Sequence, residues 1–177
     1  QRDAGASILD VNVGVPGIDE AQTLLAAVTE IQTSVSTPLQ LDSASPAALE
    51  KSLRYYNGKA AVNSVNGKRD SLDALLPLVK KYGGVVVGLT LDENGIPKTP
   101  EGRLEIAERI VQAAADYGIE EKDILIDALT LTVGASPEAA RITLDSMALI
   151  KKKLGVKTVL GISNISYGLP HRDVVNA

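Results

Sequence analysis

Two kinds of segment alternate along the chain. The first is short and rich in β-branched or aliphatic residues: Ser7–Val13, Pro38–Leu41, Ala60–Val62, Val85–Leu91, Ile124–Ile126 and Thr158–Ile162. Near-continuous apolar runs of this length predict strands buried on both faces, as in parallel sheets. The second kind carries helical spacing. In the clearest example Ala107, Ile110, Val111, Ala114 and Tyr117 fall three or four apart, and Arg103, Glu108, Arg109 and Asp116 are assigned to the rest of the wheel. Ser45-Pro46, Thr99-Pro100 and Ser136-Pro137 predict helix starts, each pairing a capping hydroxyl with a proline that needs no N–H partner. Gly58, Gly83, Gly118 and Gly155 predict helix stops.

Strand–helix alternation at about thirty residues per unit implies an α/β fold with a parallel sheet. A doubly wound sheet would normally place a Gly-rich phosphate turn after its first strand. Val13-Gly14-Val15-Pro16-Gly17 lacks that spacing, and no Walker A sequence is present. The expected architecture is therefore a (β/α)8 TIM barrel, in one domain spanning residues 1–177. The chain supplies six of the eight units. It opens on Gln1–Ala6, which reads as a helix tail, and closes on Arg172–Ala177, which reads as a helix begun. The first and last strands are expected to lie outside it, leaving two open, association-prone edges and a homodimer as an open option.

Composition narrows the chemistry. A net charge of −4 argues against a nucleic-acid surface, and aromatics at 3%, with no Trp or Phe, leave little to stack bases on. The absence of Cys removes disulfides, thiolate metal ligands and a cysteine nucleophile, and fits a reducing, cytoplasmic setting. The lone histidine, His171, excludes a multi-histidine metal centre within the chain, and no metal is expected. No apolar run approaches the roughly 18 residues of a membrane span.

What remains stands at the strand ends. The six strands finish at Asp10-Val11-Asn12, Gln40-Leu41-Asp42, Asn63-Ser64, Thr90-Leu91-Asp92, Asp127 and Ser163-Asn164. In a barrel these ends converge on the face that carries the active site. Carboxylates and amides without cations suit a neutral ligand rich in N–H donors. Lys80-Lys81 and Lys151-Lys152-Lys153 fall in last helical turns, where cations suit the dipole. Asp19-Glu20 and Glu120-Glu121 read as helix-start or loop charges, and His171 as a solvated loop residue.

The segments Ile8–Gly14, Pro38–Ser43, Val62–Gly67 and Gly161–Pro170 resemble, in order and spacing, the pterin-binding domain of cobalamin-dependent methionine synthase and the related methyltetrahydrofolate:corrinoid methyltransferases. That family has a TIM barrel of the dihydropteroate-synthase-like type. The resemblance implies that Asp127 accepts the pterin 2-amino group and N3–H as a fork, that Asn63 serves the N1/N8 edge, and that Asp42 lies near N8. It further implies Asn164 beside N5 as the catalytic amide, Arg172 as a folate contact, and Asp10 and Asn12 lining the floor. Ala128 stands where family members often have Pro, and Tyr167 where the corrinoid protein methyltransferases tend to carry a polar side chain.

The implied reaction moves the N5 methyl group of 5-methyltetrahydrofolate to a Co(I) corrinoid held by a partner domain or protein. Two alternatives remain open. One is a dihydropteroate synthase-like enzyme, which is expected to offer a lysine where Ser163-Asn164 stands. The other is a non-catalytic folate-binding fragment.

Overall fold

The computed structural model describes residues 1–134 and 136–176, so Ala177 of the expected final helix lies outside the described residues. Six strands, β1 (Leu9–Asn12), β2 (Leu39–Asp42), β3 (Ala61–Asn66), β4 (Val85–Leu89), β5 (Ile124–Asp127) and β6 (Lys157–Val159), pair in parallel in chain order. The helices α1 (Glu20–Ser34), α2 (Pro46–Leu53), α3 (Arg69–Tyr82), α4 (Pro100–Asp116) and α5 (Ala139–Leu154) connect them, and α6 (Arg172–Asn176) follows β6. A doubly wound sheet reverses its strand order at a switch point. This order never reverses, so right-handed crossovers put the helices on one face, as in part of a TIM barrel.

Local chemistry sets most boundaries. The Asp19 carboxylate accepts from Gln22 N–H at 3.0 Å, and the Ser45 and Thr99 hydroxyls accept from Ala48 and Gly102 N–H ahead of the prolines at α2 and α4. Gly83 and Gly155 close α3 and α5 in the left-handed region, at φ 65 and 69.

Four boundaries differ from expectation. Helix α5 begins at Ala139, whose N–H bonds the Ser136 carbonyl at 3.0 Å; the hydroxyl does not cap it. Helix α2 stops at Leu53, well before Gly58, because Tyr55 and Tyr56 N–H both turn back to the Ser52 carbonyl. That turn lets the Tyr56 hydroxyl accept from Leu39 N–H at 3.1 Å. Strand β4 ends at Leu89: Thr90 N–H makes the last parallel bond, to the Asp127 carbonyl at 3.1 Å, and Leu91 N–H then turns back to the Leu89 carbonyl at 2.8 Å. Strand β6 runs only over Lys157–Val159, and a 3-10 turn at Ile162–Asn164 replaces its expected end.

The core lies between sheet and helices. Leu39, Leu41, Val62, Val86, Ile124 and Ile126 bury against Leu24, Val28, Leu49, Leu76, Ile110 and Ile150. Each such side chain contributes about 1.5–3 kcal/mol relative to exposure. Helix α4 packs closely because β4 has Gly88 there: a Cβ at that position would fall 2.8 Å from Ile110 Cγ2.

One side chain on the α4 stripe is not apolar. Arg103 is 1% exposed, whereas the sequence reading put it away from the core. It lies three, four and seven residues before Ile106, Ala107 and Ile110, so it shares their face. Among the described residues, no helix is long and apolar enough to cross a membrane.

Candidate functional site

Alternation along the strands sorts polar from apolar. With Val11, Leu39, Leu41, Val62, Ile124 and Ile126 turned to the helices, Asp10, Asn12, Gln40, Asp42, Asn63 and Asp127 take the opposite face. Asn12, Asp42 and Asn63 are register partners across β1, β2 and β3. Asp42 and Asp127 are the last residues of parallel strands, so both stand at the same end of the sheet.

Asn63 shares a register row with Val87 and Leu125, two residues short of Asp127. In a barrel-type sheet the strands tilt, and positions of equal height advance about one residue per strand against the hydrogen-bonded register. Two strands on from Asn63, that advance arrives at Asp127. Two strands back, it arrives at Asp10. The three residues come from alternate strands and sit at about one level, as barrel layers do.

Contacts knit this face together. Asn12 Nδ2 donates to Asp42 Oδ2 at 2.9 Å, and its own Oδ1 accepts from Gly14 N–H at 3.0 Å. Gln40 donates to Asp10. Ser43 donates to Glu20 at 2.5 Å, bringing a second acid near Asp42. Burial pushes the Asp42 carboxyl above its ordinary range; the Asn12 hydrogen bond opposes this, and the Asp10 and Glu20 charges reinforce it. A recess of about 460 Å³ opens beside Asp42, Asn63, Asn66 and Leu89. A larger recess of about 540 Å³, around Gln32 and Tyr55, lies at the opposite end of the strands and has no carboxylate in its lining.

Asp127 is held from three sides. Its Oδ1 accepts from Leu129 N–H at 2.7 Å, Gly161 N–H faces the carboxylate, and both the N–H and the hydroxyl of Thr90 donate to its carbonyl at 3.1 Å. Burial raises the Asp127 carboxyl above its ordinary range, against the lowering effects of the Leu129 N–H, the Arg103 charge and the Gly161 N–H. By strand alternation the carboxylate lies on the helix-free face of the sheet, and the hydrogen bonds it receives come from backbone N–H groups.

Asn164 lies on the 3-10 turn, five residues past the end of β6, and not at a strand end as expected. Its amide packs against Gly161. A Cβ at Gly161 would meet Asn164 Nδ2 at 2.9 Å, and Gly161 N–H is the group facing Asp127. Arg172 braces this turn, donating to the Ser163 carbonyl at 2.9 Å and to Ser166 Oγ at 3.1 Å, with its guanidinium 6.0 Å from the Tyr167 ring centre.

Other candidates fall away from this face. Asp92 pairs with Arg109 at 3.4 Å, and His171 is exposed. Thr90, named among the strand ends, acts through the Asp127 carbonyl. Arg103 escaped the sequence reading, although its place on the α4 apolar stripe was a signal.

A family model described as pterin binding enzyme matches residues 1–176. Methionine synthase of Mycobacterium tuberculosis (strain ATCC 25618 / H37Rv) is 36% identical over 186 residues, covering 98% of this chain and 16% of that protein. Methylcorrinoid:tetrahydrofolate methyltransferase of Eubacterium limosum is 29% identical over 181 residues, covering 99% of this chain and 66% of that protein. The chain thus spans less than two thirds of the length of either relative. Among solved structures, dihydropteroate synthase from Xanthomonas albilineans in complex with 7,8-dihydropteroate is similar, with a TM-score of 0.70 and 19% identity over 99% of this chain and 68% of that one. At that identity the likeness shows the fold, a DHPS-like parallel sheet with alternating helices. With its whole described length matched in sequence and in fold, the chain belongs to the pterin binding enzyme family.

Proposed function

We propose that this chain is the methyltetrahydrofolate-binding domain of a methyltransferase, passing the N5 methyl group to a Co(I) corrinoid carried by a partner domain or protein. One observation carries the reading. A half-buried carboxylate, Asp127, ends β5 on the helix-free face that also carries Asp42 and Asn63, its hydrogen bonds coming from backbone N–H groups. A pterin presents two parallel N–H donors to such a carboxylate, and an amide such as Asn63 both donates and accepts along the remaining edge.

Asn164 serves the chemical step. As the N5–methyl bond breaks, its electron pair stays on N5, and that nitrogen takes a proton from solvent. An amide oxygen aimed at N5 accepts from the new N–H and favours the protonated form. Catalysis is then positioning plus electrostatic stabilisation, with no need for histidine or cysteine. Arg172 holds the Ser163–Ser166 turn that carries this amide. Dihydropteroate synthase chemistry is disfavoured by Ser163-Asn164, where a lysine would be expected.

The test is a titration of 5-methyltetrahydrofolate into the full-length protein, followed by a single turnover with cob(I)alamin. Binding with methyl transfer supports the reading. Binding without transfer indicates a folate-binding module, and no binding overturns the pterin assignment.

A further inference from the structure

Arg103 is buried at 1% exposure, and among the described residues no carboxylate lies within ion-pair distance of it. All its partners are neutral. Nη1 donates to the Ala128 carbonyl at 2.6 Å, the Leu129 carbonyl at 2.9 Å and Thr143 Oγ1 at 3.3 Å, and Nε donates to the Pro97 carbonyl at 3.0 Å. The single Thr143 hydroxyl hydrogen is shared between the Ala139 carbonyl at 2.9 Å and the Leu129 carbonyl at 3.1 Å. A buried cation without a touching anion is costly, and a leucine would fill this stripe without that cost. What the guanidinium grips is the turn that leaves Asp127. Leu129 sits there at φ 62, a region a leucine rarely adopts. That conformation delivers its N–H to Asp127 Oδ1 at 2.7 Å.

We propose that Arg103 is the positioning residue of the site: by fixing the Ala128 and Leu129 carbonyls it holds the Leu129 N–H on Asp127 and aims that carboxylate at the ligand. Its role in ligand binding rests on the reading of Asp127 as the pterin acceptor. The charge has a second consequence. Of the charged groups on neighbouring elements, Lys157 opens β6 at its far end and Asp92 is paired with Arg109, so Arg103 is the one that opposes the effect of burial on Asp127.

The experiment compares Arg103→Met and Arg103→Lys with the parent in the full-length protein, using two readouts. The first is hydrogen exchange of the peptide spanning residues 126–131 without ligand, with peptides from β2 and β3 as internal controls. In Arg103→Met this exchange should rise about tenfold while the controls hold. The second is the pH dependence of 5-methyltetrahydrofolate affinity. Arg103→Met should weaken binding at least tenfold and move its acid midpoint up, since the charge that lowers the Asp127 carboxyl is gone. Arg103→Lys keeps the charge but has no planar fork for both carbonyls, so its midpoint should stay put while affinity falls several-fold. Unchanged local exchange and an unchanged affinity profile overturn the proposal. If Arg103→Met unfolds throughout, Arg103→Lys decides alone by the same criteria. If the parent binds no folate yet the local exchange still rises, the pterin reading fails and the hold on the Asp127 turn stands.

Discussion

Replacing Asp127 with Asn separates binding from folding. The amide keeps the shape of the carboxylate, and its oxygen can still accept from Leu129 N–H, now 2.7 Å from Oδ1. The other oxygen becomes an NH₂ donor, which cannot accept from the pterin donors of the proposed complex. A hydrogen bond to a charged group contributes about 1.5–3 kcal/mol. One such bond is lost outright and the other loses its charge assistance, so binding should weaken by about 3 kcal/mol, or about 100-fold in Kd. Stability should move the other way. Burial is the largest influence on this carboxyl and raises it above its ordinary value of 3.8, so the ionised form is disfavoured in the folded chain. Such a group contributes most to stability below pH 3.8, and the contribution is lost as pH rises through the elevated folded value. At pH 7 the Asn variant should therefore unfold at the same or a higher urea concentration, with the gap closing as pH falls. Titration calorimetry and urea melts on both proteins test this. Unchanged affinity, or a matching loss of affinity and stability, would refute the reasoning.

Asn63→Ala should cost about 1–3 kcal/mol of folate affinity by leaving ligand groups unpaired, as read in the same calorimetric titration. Lys151→Ala should leave affinity unchanged and lower stability by no more than about 1 kcal/mol, since it removes only a last-turn cation from α5. Folate affinity should fall as pH drops through the elevated Asp42 and Asp127 ranges, both above 3.8, because protonation removes the acceptors. A Kd that stays flat from pH 7 to 4 would contradict this.

The fold was legible where one physical demand dominates. Strands buried on both faces need runs such as Val85–Val87, and a capping hydroxyl before proline, as at Ser45 and Thr99, has little other use. Ser136-Pro137 carries the same signal but opens a turn, closed by the Ala139 N–H bond to the Ser136 carbonyl at 3.0 Å, and α5 starts at Ala139. The candidate residues at β1, β2, β3 and β5 were legible because a strand end fixes its side chain's face. Asn164 was placed wrongly, since a 3-10 turn has no hydrophobic period to read. Arg103 was misassigned because charge outweighed position, although its spacing from Ile106 and Ile110 marks the buried face. The Thr90 and Leu129 bonds to Asp127 join segments far apart or turn geometries that sequence does not encode locally.

Asn164→Ala carries the central claim, that this face performs methyl transfer and does not merely bind folate. The measurement is single-turnover methyl transfer from 5-methyltetrahydrofolate to cob(I)alamin by the full-length protein, set beside a binding titration of the same variant. An interaction made chiefly in the transition state lowers rate more than affinity. The account predicts a rate loss of about 10²–10³, the usual cost of removing one such group, with Kd changed far less. Equal losses in rate and affinity would reduce Asn164 to a ligand contact, and no loss in either would contradict the account.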